Sequence, residues 1–259
     1  HGFTYFDLSD NLLSGTLKDS ICALTAVEYF SFGKNQFTGT IPSCIGSMSS
    51  LQVFDVHSNS LTGTIPSSIG GLANMKEIWL SGNQLTGSVP EEIGYCRQLE
   101  KLFMASNQLS GTLPASMIKL SKLKSISLGN NMLEGEVIGK DGIFLQLNYI
   151  NIRNNRFSGT IPEEIMMESL LQLDFTENNL IGTLPEVPSS LQTLRLAGNN
   201  LEGDLSALRP MVFPFIIDVS NNPNLSGDLP IGILQKDSLQ VLLLSNTSIK
   251  SRDSPNLPS

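Results

Sequence analysis

Basic residues are scarce in this sequence and nowhere gathered into a cluster. The 259 residues include 16 Lys and Arg against 24 Asp and Glu, which gives a net charge of −8 and a pI of about 4.8. Proteins that bind nucleic acid or an anionic membrane surface need a patch or stripe of positive charge. We therefore predict neither kind of partner.

Long apolar runs are also missing. A transmembrane helix needs about 20 consecutive, mostly apolar residues, and no stretch of the sequence has them. No signal peptide is recognisable either, because the residues after His1 lead almost directly into a strand pattern. The sequence therefore predicts no membrane-spanning segment in this chain.

Cysteine is rare, and its spacing does not suggest a framework of disulfides. There are three cysteines, Cys22, Cys44 and Cys96, and an odd number cannot all be paired within the chain. Free cysteines are often buried, so we predict buried thiols. A Cys22–Cys44 bridge is the alternative; it is disfavoured because the two residues lie two positions out of phase in neighbouring sequence repeats, which strains the usual Cα separation.

Histidine is almost absent, and no catalytic or metal-binding pattern is formed. His57 has Asp55 and Ser58 beside it, but a catalytic triad needs the imidazole between the other two groups, in a pocket with an oxyanion hole. An open strand surface offers no such pocket. One interior histidine and three scattered cysteines also lack the spacing of a metal site. We predict no enzyme activity, no metal and no cofactor.

A repeat runs through the whole sequence. Aligned on one asparagine, the repeats step six times by 24 residues and then by 23, 21, 23 and 25. Such a period is typical of a solenoid. The aligned positions are Asn11, Asn35, Asn59, Asn83, Asn107, Asn131, Asn155, Asn178, Asn199 and Asn222, with Thr247 in the eleventh place.

Each repeat follows the pattern L-x-x-L-x-L-x-x-N-x-L, as in Leu51–Leu61. The alternation in its middle has the two-residue period of a half-buried strand, with Phe54 and Val56 predicted to point inward. Stacked strands would share one apolar core. The asparagine stands where the chain leaves the strand, and its carboxamide can bond backbone groups that have lost their partners. We therefore predict a structural role for these asparagines.

Most repeats continue with glycine and then x-[Ile/Leu/Val]-Pro, as in Gly63–Pro66. Glycine permits backbone shapes that a side chain forbids, and proline fixes φ and removes a donor. We predict a turn, an extended segment and then one or two turns of helix. Gly182–Leu191 carries two prolines and is predicted to be extended, and Gly135–Gly142, which lacks proline, is predicted to form a variant turn.

The motif L-x-x-L-x-L-x-x-N-x-L-x-G-x-[IL]-P resembles the plant-specific leucine-rich repeat of receptor-kinase ectodomains, receptor-like proteins and polygalacturonase-inhibiting proteins. The resemblance covers nearly the whole chain and implies an α/β solenoid, a right-handed superhelix of about 11 repeats with a concave parallel β-sheet. It also implies a second set of short strands after the Gly-x-[IL]-Pro. We expect residues 1–259 to form a single leucine-rich-repeat domain, a fragment that lacks both terminal caps.

The same resemblance implies an extracellular or cell-surface module that recognises a peptide, protein or glycan on its concave face. It implies a protein or peptide ligand and a co-receptor as partners. Two alternatives remain open, a secreted inhibitor of cell-wall-degrading enzymes and a structural scaffold or assembly subunit. The fold alone does not identify the ligand.

The outward strand positions of successive repeats would form one continuous face. Trp79, the only tryptophan, stands beside Phe103 in it, and exposed aromatic and Arg side chains are frequent anchors of interfaces. The alternative is that the two rings only stack as a cross-strand pair. The predicted ligand-binding residues are Asp55, His57, Glu77, Trp79, Lys101, Phe103, Tyr149 and Arg153.

Two N-glycosylation sequons complete the candidate sites. They are Asn224-Leu-Ser226 and Asn246-Thr-Ser248. The first lies where the tenth repeat carries an extra residue, a bulge that we expect to be exposed.

Overall fold

The structure, a computed structural model, describes residues 2–137, 146–229 and 231–250 as a solenoid. Its main element is a parallel sheet of 11 strands in which neighbouring strands belong to consecutive repeats. The predicted α/β solenoid is therefore confirmed. The strands of this first sheet are β1 (Tyr5–Asp7), β3 (Tyr29–Ser31), β5 (Val53–Asp55), β7 (Glu77–Trp79), β9 (Lys101–Phe103), β11 (Ser125–Ser127), β13 (Tyr149–Asn151), β15 (Gln172–Asp174), β17 (Thr193–Arg195), β19 (Ile216–Asp218) and β21 (Val241–Leu243).

A second, flanking set of parallel strands alternates with the first along the chain. It consists of a three-stranded and a seven-stranded sheet, and an isolated bridge between Thr64 and Thr86 connects them. The strands are β2 (Ser14–Thr16), β4 (Gln36–Thr40), β6 (Ser60–Thr62), β8 (Thr86–Gly87), β10 (Gln108–Thr112), β12 (Met132–Glu136), β14 (Arg156–Gly159), β16 (Asn179–Thr183), β18 (Asn200–Gly203) and β20 (Asn224–Leu225).

These second strands lie before the proline, whereas the resemblance placed them after the Gly-x-[IL]-Pro. That prediction of position was wrong. β4 runs through Gly39, which has φ 76°, and ends at Thr40, two residues before Pro42. Glycine adopts this positive φ at little cost, and proline has no N–H with which to continue a ladder. The repeat therefore forms its second strand around the glycine and stops before the proline.

The core consists of inward side chains stacked in columns from one repeat to the next. Phe54 and Val56 are both fully buried, as the alternation predicts. In the strand register, Phe54 is aligned with the equivalent inward residue of each neighbouring strand. From the second repeat to the tenth, every residue of this column is at most 3% exposed. The column is Phe30, Phe54, Ile78, Leu102, Ile126, Ile150, Leu173, Leu194 and Ile217.

The repeated asparagines form a ladder of hydrogen bonds beside this core. Asn59 is a representative member: its Nδ2 donates to Phe32 O at 2.9 Å in the preceding repeat and to Val56 O at 3.1 Å in its own. Its Oδ1 accepts from Phe37 N at 2.9 Å. Its Nδ2 also lies 3.2 Å from His57 O, so one side chain bonds four main-chain groups at the ends of two strands. The structural role predicted for these residues is confirmed.

Short helices return the chain to the next strand. In the part of the chain that the structure describes, seven are 3-10 helices of three or five residues, and one is a four-residue α-helix. No helix in the described ranges is long and apolar enough to cross a membrane. The 3-10 helices are Asp19–Ala23, Ile45–Ser47, Ser67–Gly71, Glu91–Tyr95, Ala115–Lys119, Glu163–Ile165 and Ser206–Leu208, and the α-helix, α1, is Ile231–Leu234.

The two departures from the repeat pattern have different outcomes. Residues 184–192 contain no helix, and Val187 N donates to Ala207 O in the next repeat, so the extended path predicted for this segment is confirmed. The variant turn predicted for Gly135–Gly142 falls mostly on residues 138–145, which lie outside the described residues.

Cys22 and Cys44 form a disulfide with a Cα separation of 6.0 Å, so the prediction of free thiols was wrong for this pair. Cys22 lies in the helix Asp19–Ala23, and Cys44 immediately precedes the helix Ile45–Ser47 of the next repeat. A 3-10 helix rises only about 2 Å per residue, so an offset of two positions displaces the two cysteines by only about 4 Å. The sequence comparison overestimated the strain because it took no account of this compact backbone.

Cys96 is buried and free, as predicted. Its Sγ donates to Ile69 O at 3.3 Å. Burial raises the pKa of this thiol to about 11, because the thiolate would lose its hydration. The thiolate is the reactive form of cysteine, so Cys96 is expected to be inert in the folded protein.

Asn83→Ala should lower the free energy of unfolding by about 1–3 kcal/mol, because buried main-chain groups lose their partners. Asn83 is buried and bonds Val56 O, Leu80 O and Leu61 N, each at 3.0 Å. Urea unfolding followed by circular dichroism measures the loss. Asn74→Ala is the control, because the exposed Asn74 side chain makes one bond, to Ser49 O, and its removal should change stability by less than about 0.5 kcal/mol. Equal losses would contradict the role given to the ladder.

A thiol count should distinguish the disulfide from three free cysteines. We expect no thiol to react with a chromogenic disulfide reagent in the native protein, one to react after unfolding in denaturant, and three after unfolding with prior reduction. Three reactive thiols in the unreduced, unfolded protein would show that Cys22 and Cys44 are not bridged.

Candidate functional site

Three aromatic side chains meet on the outward face of the first sheet. Trp79 on β7 contacts Phe103 on β9, with ring centroids 4.4 Å apart and planes at 72°. Phe103 in turn faces Tyr149 on β13, at 6.4 Å and 88°. Both contacts are edge-to-face, a geometry that aromatic quadrupoles favour. We call these three residues the aromatic cluster.

Phe103 and Tyr149 reach each other across an intervening strand. β11 lies between β9 and β13, and its outward residues opposite them, Ser125 and Ser127, are both small. The rings therefore approach each other above the serines. This contact was not predicted from the sequence. The signal for it was that Ser125 and Ser127, both small, stand between the large Phe103 and Tyr149 in the outward positions.

A closed polar network holds Trp79 in place. Its Nε1 donates to Glu77 Oε2 at 2.9 Å, and Lys101 Nζ pairs with Glu77 Oε1 at 3.1 Å. Lys101 Nζ also lies 5.7 Å from the centre of the Trp79 ring. The indole N–H and the Glu77 carboxylate thus already have partners. Glu77 and Lys101, two of the predicted site residues, therefore orient the tryptophan. The surface left for a ligand is mainly apolar.

Arg153 and Tyr149 carry the polar groups at the other end of the cluster. The Arg153 stem lies over Gly129, where an added Cβ would stand 2.9 Å from Arg153 Cγ. The exposed guanidinium forms no ion pair with any described residue. Asn151, which the sequence analysis did not select, donates from Nδ2 to Tyr149 Oη at 3.3 Å and accepts from Arg153 N at 3.1 Å. Asn151 therefore positions both predicted residues.

Asp55 and His57 form hydrogen bonds with each other, Asp55 also bonds Ser31, and among the described residues neither of the two bonds the aromatic cluster. Asp55 is only 8% exposed; it accepts from Ser31 Oγ at 2.9 Å and from His57 N at 3.0 Å. Its Oδ1 also lies 2.6 Å from His57 Nδ1. The imidazole packs over Gly33, where an added Cβ would collide with it. Asp55 is therefore enclosed and fixes His57, and within the described residues no hydrogen bond or ion pair joins either of them to the cluster.

Asp55 is one of several acidic or amide residues that cap the ends of their strands. In the same outward column, five such residues accept the backbone N–H of the residue two positions later, at 2.9–3.1 Å. Asp and Asn make this local bond readily. Part of the column is thus structural. The five residues are Asp7, Asp55, Asn151, Asp174 and Asp218.

No candidate metal site is found in the part of the chain that the structure describes, and the residues around His57 do not have the order of a catalytic triad. In the described part, no three His, Cys, Asp or Glu side chains gather into a group that could hold a metal ion. The contacts of Ser31, Asp55 and His57 place the carboxylate between the hydroxyl and the imidazole. This is the wrong order for activating a serine, since the imidazole must contact the hydroxyl.

Family models for the leucine-rich repeat match residues 49–109 and, with a second model, residues 2–24 and 146–167. The ladder and the stacked parallel strands extend the same unit through the other repeats. The chain is a leucine-rich-repeat protein. A search of curated protein sequences finds no match to it.

Several solved structures resemble this leucine-rich-repeat chain. The plant peptide hormone receptor RGFR1, solved in complex with RGF2, is 34% identical with a TM-score of 0.88 over 94% of this chain and 40% of the receptor. The Arabidopsis receptor kinase HAESA ectodomain, solved with an IDA peptide hormone, is 27% identical with a TM-score of 0.76 over 93% and 46%. A Leptospira interrogans protein of the same class is 27% identical with a TM-score of 0.73 over 96% and 62%. The chain thus spans less than half the length of these two receptors.

Asp55→Ala should destabilise the leucine-rich-repeat fold by about 1–3 kcal/mol, since the mutation leaves partly buried donors without an acceptor. Asp7→Ala is the matched control from the same column: Asp7 is exposed, and its removal should cost less than about 1 kcal/mol. Denaturant unfolding of both variants measures the difference. If Asp55→Ala is as stable as the parent protein, the enclosed carboxylate has no structural role.

Proposed function

We propose that this chain is the recognition part of an extracellular receptor and binds a peptide or protein on its concave face. The observation that carries the proposal is the aromatic cluster, in which rings from three strands meet on a face open to solvent. The similar structures of RGFR1 and HAESA were solved with peptide hormones, which supports this class of ligand.

The chemistry of the cluster suits an apolar or aromatic side chain with a hydrogen-bond acceptor nearby. The Glu77 network satisfies the polar atom of Trp79, so that desolvating the indole leaves no donor unpaired. The Arg153 guanidinium, with no ion pair among the described residues, provides up to five donors at the other end. Trp, Tyr and Arg are the residue types most often found at binding hot spots.

The simpler interpretation is that Trp79 and Phe103 only stabilise the sheet. An aromatic pair adds about 0.5–1.5 kcal/mol beyond its burial. That gain is available equally from pairs that are buried, as Phe30 and Phe54 are elsewhere in this fold. The partial exposure of the cluster, together with an arginine beside it that forms no ion pair with any described residue, favours recognition.

The double variant Trp79→Ala, Phe103→Ala should fold normally and bind its ligand at least about tenfold more weakly, which corresponds to about 1.4 kcal/mol. Because the ligand is unidentified, the probe is a peptide selected on the parent chain from a random displayed library. Calorimetric titration of that peptide measures the affinity, and thermal unfolding confirms the fold.

Tyr95→Ala is the matched control for this experiment. Tyr95 is an aromatic residue on the convex helix Glu91–Tyr95, is 55% exposed and packs under Lys119. Its removal should leave the affinity unchanged. If the cluster variant binds as tightly as the parent, the proposed site is wrong. If the library yields no peptide that binds the parent chain, the proposed ligand class is wrong.

A further inference from the structure

We propose that Asn224 and Asn246 both carry N-linked glycans, and that the two glycans extend from the flank of the solenoid, away from the aromatic cluster. The inference depends on the extracellular part of the proposed function, because the sugar is transferred in the secretory pathway. It does not depend on what the concave face binds.

The architecture of the repeat excludes the ladder asparagines as candidates. A sequon needs Ser or Thr two residues after the asparagine. In the ladder, that place belongs to a core residue, as with Leu85 after Asn83 and Leu201 after Asn199, both fully buried. The ladder carboxamides are also occupied by main-chain bonds. An asparagine can therefore be modified only outside the ladder.

Asn224 meets this condition because the tenth repeat carries an extra residue. The ladder asparagine Asn222 is fully buried, and the core leucine, Leu225, follows it by three residues where other repeats have two. Asn224 is the residue placed between them. It is exposed on β20, which lies at the edge of the seven-stranded flanking sheet. No hydrogen bond engages its carboxamide within the ranges that the structure describes. Ser226 of the same sequon is also exposed.

Asn246 occupies the corner after β21, in the left-handed conformation with φ 54°. Its side chain is exposed and donates one hydrogen bond, to Asn221 Oδ1 at 3.2 Å. A glycosylated carboxamide keeps one N–H, so this contact does not oppose modification. The exposed Ser248 donates to Pro223 O at 2.9 Å, which places the second sequon directly against the first.

The two sites thus lie in adjacent repeats and on one side of the molecule. Asn224 belongs to the flanking sheet and Asn246 to the corner that leads into it, whereas the aromatic cluster lies on the first sheet, on strands β7, β9 and β13. Sugars at these positions would cover the flank of repeats ten and eleven and leave the concave face accessible.

The reaction uses a lipid-linked oligosaccharide pyrophosphate as its donor. A bond forms between Asn Nδ2 and C1 of the first sugar while the bond from C1 to the pyrophosphate oxygen breaks. The lipid pyrophosphate leaves, and the amide nitrogen gives up one proton. No oxidant or reductant is required.

Expression in a secreting eukaryotic host tests the proposal. Intact-mass spectrometry of the secreted chain should show two glycans, and peptide mapping after enzymatic deglycosylation should mark Asn224 and Asn246. Ser226→Ala and Ser248→Ala should each remove one glycan. A secreted parent chain without sugar at either asparagine would overturn the proposal.

Ile181→Ser provides a matched gain-of-site control. It puts a hydroxyl two residues after Asn179, on β16, where an exposed asparagine is followed by the buried Leu180 just as Asn224 is followed by Leu225. A third glycan should appear. If it does while the parent chain carries none, the host can glycosylate this flank and the assignment of Asn224 and Asn246 is wrong.

The placement of the sugars has a separate test. The double variant Ser226→Ala, Ser248→Ala should bind the displayed peptide selected on the parent chain with an affinity within about twofold of the glycosylated chain. A change of tenfold or more would show that the glycans reach the binding face. Loss of peptide binding only in the Trp79 and Phe103 variant would leave both proposals standing. A secreted parent chain that binds the peptide normally but carries no glycan would remove only this one.

Discussion

The carboxamide of each ladder asparagine connects two neighbouring repeats at the place where their strands end. There the chain leaves one sheet before it enters the next, and its main-chain groups would otherwise be buried without partners. Asn199 shows the arrangement: its Nδ2 donates to Phe175 O and to Leu196 O, both at 3.0 Å, and its Oδ1 accepts from Leu180 N. Since one side chain serves two repeats, the period of the sequence is also the period of the hydrogen bonding.

This constraint explains why so much of the fold could be predicted. From the second repeat to the ninth, a buried residue follows the ladder asparagine by two positions and inward residues precede it, so spacing alone specifies the strand and the core. The features that could not be predicted lie where the spacing carries no such requirement. The Cys22–Cys44 bridge depends on the rise of two short helices, and the place of the second strands depends on the φ of residues such as Gly39. The period of the repeat determines neither the rise of the helices nor the φ of the glycine.

In the candidate site, too, the sequence predicted the positions of the residues but not the contacts between their side chains. Outward positions were identifiable from the alternation, and Trp79, Phe103 and Tyr149 do lie together. The roles of their neighbours were not identifiable, because they depend on which side chains reach each other. Glu77 and Lys101 pair with each other and support Trp79, and Asp55 is enclosed by its contacts with Ser31 and His57. The positioning role of Asn151 could be recognised only from its hydrogen bonds to Tyr149 and Arg153. An outward position therefore predicts availability to a ligand only when no adjacent group already uses the side chain.

The energetics of the cluster also limit how a tight ligand could bind. Covering about 100 Å² of apolar ring surface would contribute about 2.5 kcal/mol, whereas a nanomolar complex needs about 12 kcal/mol. The Glu77 and Lys101 charges add little, because they already pair with each other in partial contact with water. Any tight ligand must therefore extend well beyond the cluster. Strands are about 4.8 Å apart, so the distance from β5 to β13 is about 19 Å, the length of about six extended residues. A ligand of that length would pass His57 at one end and Arg153 at the other, and so the ends of the face, with the cluster as its central anchor, would determine which sequence is accepted.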